Sequence, residues 1–280
     1  MGAHLTLDED YYMEKNPPSY GFWQVPRKII TEIGEYDGSP AVTIACTQLN
    51  RTPVESKRIL RDWIEALPSM PVDFVRFSCH VPDKLLQATF LNSRIRGLFI
   101  KFTRAKSIEG IQRLQNLEEL HLGNASSISD LSPLSSLHCL RVLVLENLAK
   151  ISDYSILRDL TGLESLCIEG GMYSRPYIDD LEFVADLTAL KEFQLVAMRC
   201  RRPRLEPFRK LSSLIAIGLC CDFPNDECKA FDEQMPNLRF GFAYQSSITE
   251  ENIRIIKAQL SGTVQQVVDG KPPQTPQPPH

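Results

Sequence analysis

Residues 114–145 read LQNLEELHLGNASSISDLSPLSSLHCLRVLVL. Leu120 and Leu122 flank a single residue, and Leu143 and Leu145 do the same 23 positions later. Leu114 and Leu117 stand six and three residues ahead of the first pair; Leu137 and Leu140 hold those places ahead of the second. An apolar-x-apolar pair alternates inward and outward, as a strand must. The i, i+3 leucines ahead of it turn inward on a helical or 3-10 segment.

Outward from this stretch the pair recurs as Val75/Phe77, Leu98/Ile100, Leu166/Ile168, Phe193/Leu195, Ile217/Leu219 and Phe240/Phe242. First members are spaced by 23, 22, 23, 23, 27, 24 and 23 residues. Leu160 and Leu163, Leu187 and Leu190, and Leu211 and Leu214 continue the upstream positions. The register slips only at Met235 and Leu238. Each unit reads L-x-x-L-x-x-L-x-L, the leucine-rich-repeat pattern, whose period is about 20–29 residues. One such unit cannot bury its apolar face alone, so units stack into a solenoid.

The segment Ile128-Ser129-Asp130-Leu131-Ser132-Pro133-Leu134 resembles the I-x-D-L-x-P-L segment of internalin-like bacterial leucine-rich repeats. Ile151-Ser152-Asp153 and Ile178-Asp179-Asp180-Leu181 look like degenerate copies. The resemblance covers roughly residues 70–245. It implies an α/β leucine-rich-repeat solenoid, with parallel short strands on the concave face, helical or 3-10 segments on the convex face, and a cap at each end. It also implies a bacterial origin. The family usually places Asn three residues after the second strand leucine. Here those places hold Ala125, Leu148, Gly171, Met198, Asp222 and Gln245, with Asn124 and Asn147 one residue early. Without that asparagine ladder a less regular solenoid is expected. The 27-residue unit carries an insertion near residues 170–176.

Stacked repeats need capped ends. Residues 1–19 are expected to be a flexible N-terminus and 20–70 an N-terminal α/β cap. Within the cap, FWQV, RKIITEIGEY and AVTIACTQ read as strands, with a turn at Asp37-Gly38. Thr52-Pro53-Val54-Glu55 is a capping box with proline at the first helical position. Leu60, Trp63, Ile64 and Leu67 then share one helix face. The solenoid is assigned to 71–246, a C-terminal helical cap to 247–269 and a disordered proline-rich tail to 270–280.

The chain has 280 residues, 43% of them hydrophobic, which is enough to build a sizeable core. Its formal charge of -4 gives no global reason to bind nucleic acid or an anionic membrane. No run approaches a membrane span. The N-terminus, MGAHLTLDEDYY, lacks a basic region followed by an apolar one. Internalins are exported and anchored, whereas these features lead us to expect a cytoplasmic protein. Gly2 to Thr6 matches the myristoylation pattern, although the acidic run behind it would repel anionic lipid.

Signals for chemistry are sparse. His4, His80, His121, His138 and His280 form no metal-binding spacing. Cys200, Cys220, Cys221 and Cys228 lack the two close pairs of a zinc site. Neither phosphate-binding glycine motif is present, and no cofactor is expected. His121, Glu146 and Cys167 lie on neighbouring strands, so an enzyme or regulatory subunit with a Cys/His site is one alternative. Arg199, Arg201, Arg202, Arg204, Arg209 and Lys210 form a dense basic cluster expected on a solvated loop.

The expected working surface is the concave face, where alternation puts Glu119, His121, Val142, Val144, Glu146, Ser165, Cys167, Glu169, Glu192 and Gln194. Arg76, Phe99, Ala216, Gly218, Cys220, Arg239 and Gly241 extend it. Glutamates around exposed valines suit a protein partner with a basic surface. The expected function is therefore non-catalytic protein binding. A cytosolic solenoid with such a face would also suit an immunity-type protein that neutralises a basic toxin.

Overall fold

The computed structural model describes residues 28–171, 175–219, 223–239 and 241. Eleven strands are found among them: β1 (Ile29–Ile30), β2 (Ala41–Ile44), β3 (Phe74–Val81), β4 (Gly97–Thr103), β5 (Glu119–Leu122), β6 (Val142–Glu146), β7 (Ser165–Glu169), β8 (Tyr177–Asp180), β9 (Glu192–Val196), β10 (Arg199–Arg202) and β11 (Ala216–Leu219). Nine of them form one sheet in the order β1-β2-β3-β4-β5-β6-β7-β9-β11. Every pairing in it is parallel. The ladder keeps repeat register: Leu98, Leu120, Leu143, Leu166, Phe193 and Ile217 form one inward row, and Ile100, Leu122, Leu145, Ile168, Leu195 and Leu219 form the next.

Parallel strands need a crossover between them, and two kinds are used here. The N-terminal units cross through α-helices, α1 (Pro53–Ala66) and α2 (Asp83–Thr89). The later units cross through short 3-10 turns at Ile111–Arg113, Ser132–Leu134, Ser155–Asp159, Glu182–Asp186 and Glu206–Lys210. A 3-10 turn has three residues per turn, so i, i+3 leucines stack on one side of it. Leu114, Leu117, Leu137, Leu140, Leu160, Leu163, Leu187, Leu190, Leu211 and Leu214 are all buried there. A third helix, α3 (Asn225–Gln234), buries Phe231 against Phe208. One apolar core runs without a break from Ile30 to Met235.

The aspartates of the I-x-D-L segments hold these turns. Asp130 Oδ1 accepts the Ser132 N–H at 2.8 Å, Asp153 Oδ1 that of Ser155 at 2.8 Å, and Asp180 Oδ1 that of Glu182 at 3.1 Å. Backbone N–H donation keeps the Asp130 and Asp153 carboxyls below their usual range.

The structure corrects several expectations. RKIITEIGEY is not one strand, since only Ile29–Ile30 pairs. The chain then tightens into a 3-10 turn over Ile33–Glu35. The Glu35 carboxylate closes it by accepting the Thr31 and Glu32 N–H groups at 3.1 and 2.8 Å. AVTIACTQ pairs only over Ala41–Ile44. The expected turn at Asp37-Gly38 is present, with Gly38 at φ 85°. Thr52 and Glu55 form the capping box of α1, but the helix is rotated from the expected face. Ile59, Trp63 and Leu67 are buried, whereas Leu60 and Ile64 sit at the margin. Trp63 Nε1 donates to the Thr31 carbonyl at 2.7 Å and ties α1 to the chain after β1.

Two ladders follow the repeat. Asn124 and Asn147 are left-handed, at φ 42° and 55°, and Asn147 Nδ2 donates to Asn124 Oδ1 at 2.7 Å. A short asparagine ladder therefore exists one residue early, where a left-handed turn after the strand suits asparagine. The residue ahead of β3, β4, β5, β6, β7 and β9 alternates in charge: Asp73, Arg96, Glu118, Arg141, Glu164 and Lys191. Arg96 holds Glu118 with two bonds of 2.9 Å. Glu164 accepts from Arg141 Nε at 2.7 Å and from Lys191 Nζ at 2.6 Å.

The FWQV segment, Phe240/Phe242, the C-terminal helical cap, the proline-rich tail and Gly2 lie outside the described residues.

Candidate interaction surface

Alternation along the sheet gives three outward rows. The first runs Phe74, Gly97, Glu119, Val142, Ser165, Glu192, Ala216. The second runs Arg76, Phe99, His121, Val144, Cys167, Gln194, Gly218. The third places Glu146 beside Glu169 and Glu169 beside Val196. All ten expected site residues therefore share one face of the sheet.

They are not equally accessible. Glu119 is 1% exposed, and Cys167 and Glu192 are 8% exposed, which corrects their assignment as open partner contacts. Neighbouring strands are only about 4.8 Å apart, so a side chain of one row lies against those of the adjoining strands and rows. Glu192 is engaged within the protein: it accepts from Ser165 Oγ at 3.1 Å and from Gln194 Nε2 at 2.5 Å. His121, Val142, Val144, Glu146, Ser165, Glu169 and Gln194 remain partly exposed.

The second row begins with a stack not foreseen in the sequence. The Arg76 guanidinium lies 4.8 Å from the Phe99 ring centroid, and Phe99 is 4.2 Å from the His121 ring. His121 Nε2 is 3.5 Å from Glu146 Oε2. This row is cationic and aromatic from β3 to β5 and becomes apolar at β6–β7, where the third row beside it is acidic.

The Cys/His arrangement is not assembled. Val144 stands between His121 and Cys167 in register, so their backbones are two strand spacings, about 10 Å, apart. Burial pushes the Cys167 thiol up, and the charges of Glu169, Glu192 and Glu146 push it further. A catalytic thiolate requires the opposite environment. At pH 8, iodoacetamide is expected to label the exposed Cys139 while Cys167 stays unlabelled in the folded protein; peptide mass spectrometry over time tests this. Labelling of Cys167 at the rate of Cys139 would restore the catalytic reading.

The arginine cluster is also corrected. Residues 199–202 form β10, which pairs with β8 in a separate two-stranded parallel sheet. Arg201 meets Asp179 at 3.2 Å, Arg202 meets Asp180 at 2.6 Å and Arg204 meets Glu182 at 3.7 Å. Arg199 and Arg201 lie 4.3 and 4.8 Å from the Tyr177 ring centroid. Much of the cluster's charge is thus matched one repeat upstream. Of the four clustered cysteines, Cys200 and Cys228 are partly buried, and Cys220 and Cys221 lie outside the described residues. No described helix is long and apolar enough to cross a membrane.

Parallel strands at a 22–27-residue period, an inward leucine ladder and 3-10 crossovers decide the architecture. The fold is a leucine-rich-repeat solenoid. No family model and no curated protein matches the chain. Among solved structures it is similar to internalin C2 of Listeria monocytogenes, with 22% identity and a TM-score of 0.49 over 61% of this chain and 70% of that one. A second internalin of that organism gives 19% identity and a TM-score of 0.46, over 60% of this chain and 53% of that one. A leucine-rich-repeat protein of Leptospira interrogans gives 14% identity and 0.44, over 76% of this chain and 63% of that one. The chain thus spans less than two thirds of the latter two. These likenesses are of fold.

Proposed function

We propose that this solenoid is a non-catalytic protein-binding module, working in the cytoplasm through its concave face. The observation that carries the reading is the group of Val142, Val144, Glu146 and Glu169 on β6 and β7. Two carboxylates in adjacent register repel each other, and a partner's Lys or Arg would relieve that repulsion. The half-exposed valines beside them supply apolar contact area. The partner is thus a protein with a basic surface that places an apolar group beside a cation. Nucleic acid and membrane fit this face poorly. A basic toxin would fit it, in which case co-expression of this chain would protect the producing cell.

The test is affinity capture from the native host's lysate with the wild-type chain beside V144R/E169R. Both changes lie on the outward rows, so the variant is expected to melt within a few degrees of wild type. A stoichiometric partner held by the wild type is expected to be lost, with affinity falling at least about tenfold. Retention of that partner by a folded variant would remove the site from this face.

A further inference from the structure

A second candidate site lies away from the concave group, between α1 and the start of α2 at the carboxyl ends of β3 and β4. It is a cleft of about 420 Å³, lined by Leu60, Ile64, His80, Pro82, Asp83, Lys84 and Arg104. It is a shallow depression open to solvent, so a ligand there would be covered on one side only. The rotation of α1 creates the apolar wall: Ile59 and Trp63 turn into the core, so Leu60 and Ile64 are left at its margin facing the cleft.

The polar groups converge on one charge type. His80 Nε2 is buried and has no hydrogen-bond partner among the described residues. Its residue is otherwise well held: the ring packs on Phe102 at 4.9 Å, the backbone N–H donates to Gln48 Oε1 at 3.1 Å, and the carbonyl accepts from Thr47 Oγ1 at 2.5 Å. A rigid ring with an unmet buried nitrogen is unusual in a folded protein. Lys84 and Arg104 are exposed and form no ion pair with a described residue; Arg104 leans on the Phe102 ring at 5.6 Å. Asp83 is the one carboxylate on the lining, so the cleft is net positive. Burial and the Arg104 charge hold the His80 imidazole below its ordinary pKa, while Asp83 acts in the opposite direction.

We propose that this cleft binds a small amphipathic carboxylate, an aryl- or alkyl-substituted acid. Its hydrocarbon part lies on Leu60, Ile64 and Pro82, its anion meets Lys84 and Arg104, and a small shift of the His80 ring would bring the unmet Nε2 to it as a third donor. Charge-assisted bonds from two cations and an imidazole N–H suit a carboxylate. Asp83 opposes a dianion, so a monoanion with a hydrocarbon body fits better than inorganic phosphate. This inference does not depend on the concave-face reading.

The experiment is a titration of the full chain with 3-phenylpropionate, followed by backbone amide NMR shifts. Acetate, inorganic phosphate and the neutral 3-phenylpropan-1-ol serve as part-probes. The acid is expected to bind with a sub-millimolar Kd and to shift amides around Leu60, Ile64 and His80. Acetate, phosphate and the alcohol are each expected to bind at least about tenfold more weakly, because each lacks one half of the match. K84E/R104E alters two exposed side chains and is expected to weaken the acid at least about tenfold with an unchanged melting curve. K84Q/R104Q carries the same test if the reversal impairs folding. Binding of phosphate or acetate as tight as that of the acid would reduce the site to an anion patch and overturn the proposal. Equal binding of the alcohol, unchanged affinity in both variants, or no shifts at about 5 mM acid would overturn it as well.

Discussion

Leu143→Ala is expected to lower the unfolding free energy by about 2–5 kcal/mol, the range for truncating a buried leucine. Val144→Ala, one residue on, should lower it by no more than about 1 kcal/mol. Leu143 is fully buried in the inward row, between Leu120 and Leu166. Val144 belongs to the outward row between His121 and Cys167 and is only partly covered. In a solenoid the lost contacts fall on one unit and its two neighbours, because each repeat touches only the next. The cavity therefore weakens the middle of the array, where both flanking interfaces depend on the same row. Urea unfolding followed by circular dichroism compares the two variants directly. Equal losses would mean that the two rows are not distinguished by burial, and the assignment of the concave face would fail with them.

That contrast also shows what the sequence could reveal. Leucine at L-x-x-L-x-x-L-x-L spacing leaves little freedom, because a one-residue slip would put every apolar side chain on the wrong face. Seven expected strand pairs, from Val75/Phe77 to Ile217/Leu219, are accordingly found in the sheet. The outward rows were legible in direction but not in exposure. Glu119 and Glu169 are both glutamates on outward rows, yet only Glu119 is sealed off. That difference depends on what stands one strand away, which alternation within a strand does not encode. The arginine cluster misled for a related reason. Arg201, Arg202 and Arg204 look like free charge until the chain is read one repeat back, where Asp179, Asp180 and Glu182 wait in register. The same reading would have found the alternating Arg96, Glu118, Arg141, Glu164 and Lys191. On α1 the expected Trp63 and Leu67 are buried, but Ile59 takes the inward place expected for Leu60 and Ile64, because Leu60/Ile64 and Ile59/Trp63 satisfy the same helical spacing and only tertiary packing separates them. The cleft at His80 follows from that rotation and has no signature in the sequence.

Gly170→Ala is expected to destabilise on the scale of the loss of a core leucine side chain, for the opposite reason. A Cβ at residue 170 would lie 2.1 Å from the Ala197 carbonyl oxygen and 2.9 Å from its carbon. Both atoms are backbone, so no side chain can turn aside to make room. The Gly170 N–H donates to the Val196 carbonyl at 2.8 Å, and any retreat stretches that bond. Overpacking of this kind costs about 1–3 kcal/mol, and more where backbone must move. Gly34→Ala is the matched control: nothing lies within 4 Å of a Cβ there, and its effect is expected to stay within about 0.5 kcal/mol. Ala197→Gly tests the other side of the contact. Ala197 holds a left-handed φ of 52°, which glycine adopts without strain, so this change is expected to stabilise by about 0.5–1 kcal/mol. It should not rescue Gly170→Ala, because the clash is with the carbonyl group and not with the alanine methyl. The consequence reaches the proposed binding face. The close approach at Gly170 lets β9 join β7 with Glu169 opposite Val196. If that approach is lost, the carboxylate pair of Glu146 and Glu169 loses its support on the β9 side. Gly170→Ala should then weaken partner capture even under conditions where the chain remains folded, while Gly34→Ala leaves it intact.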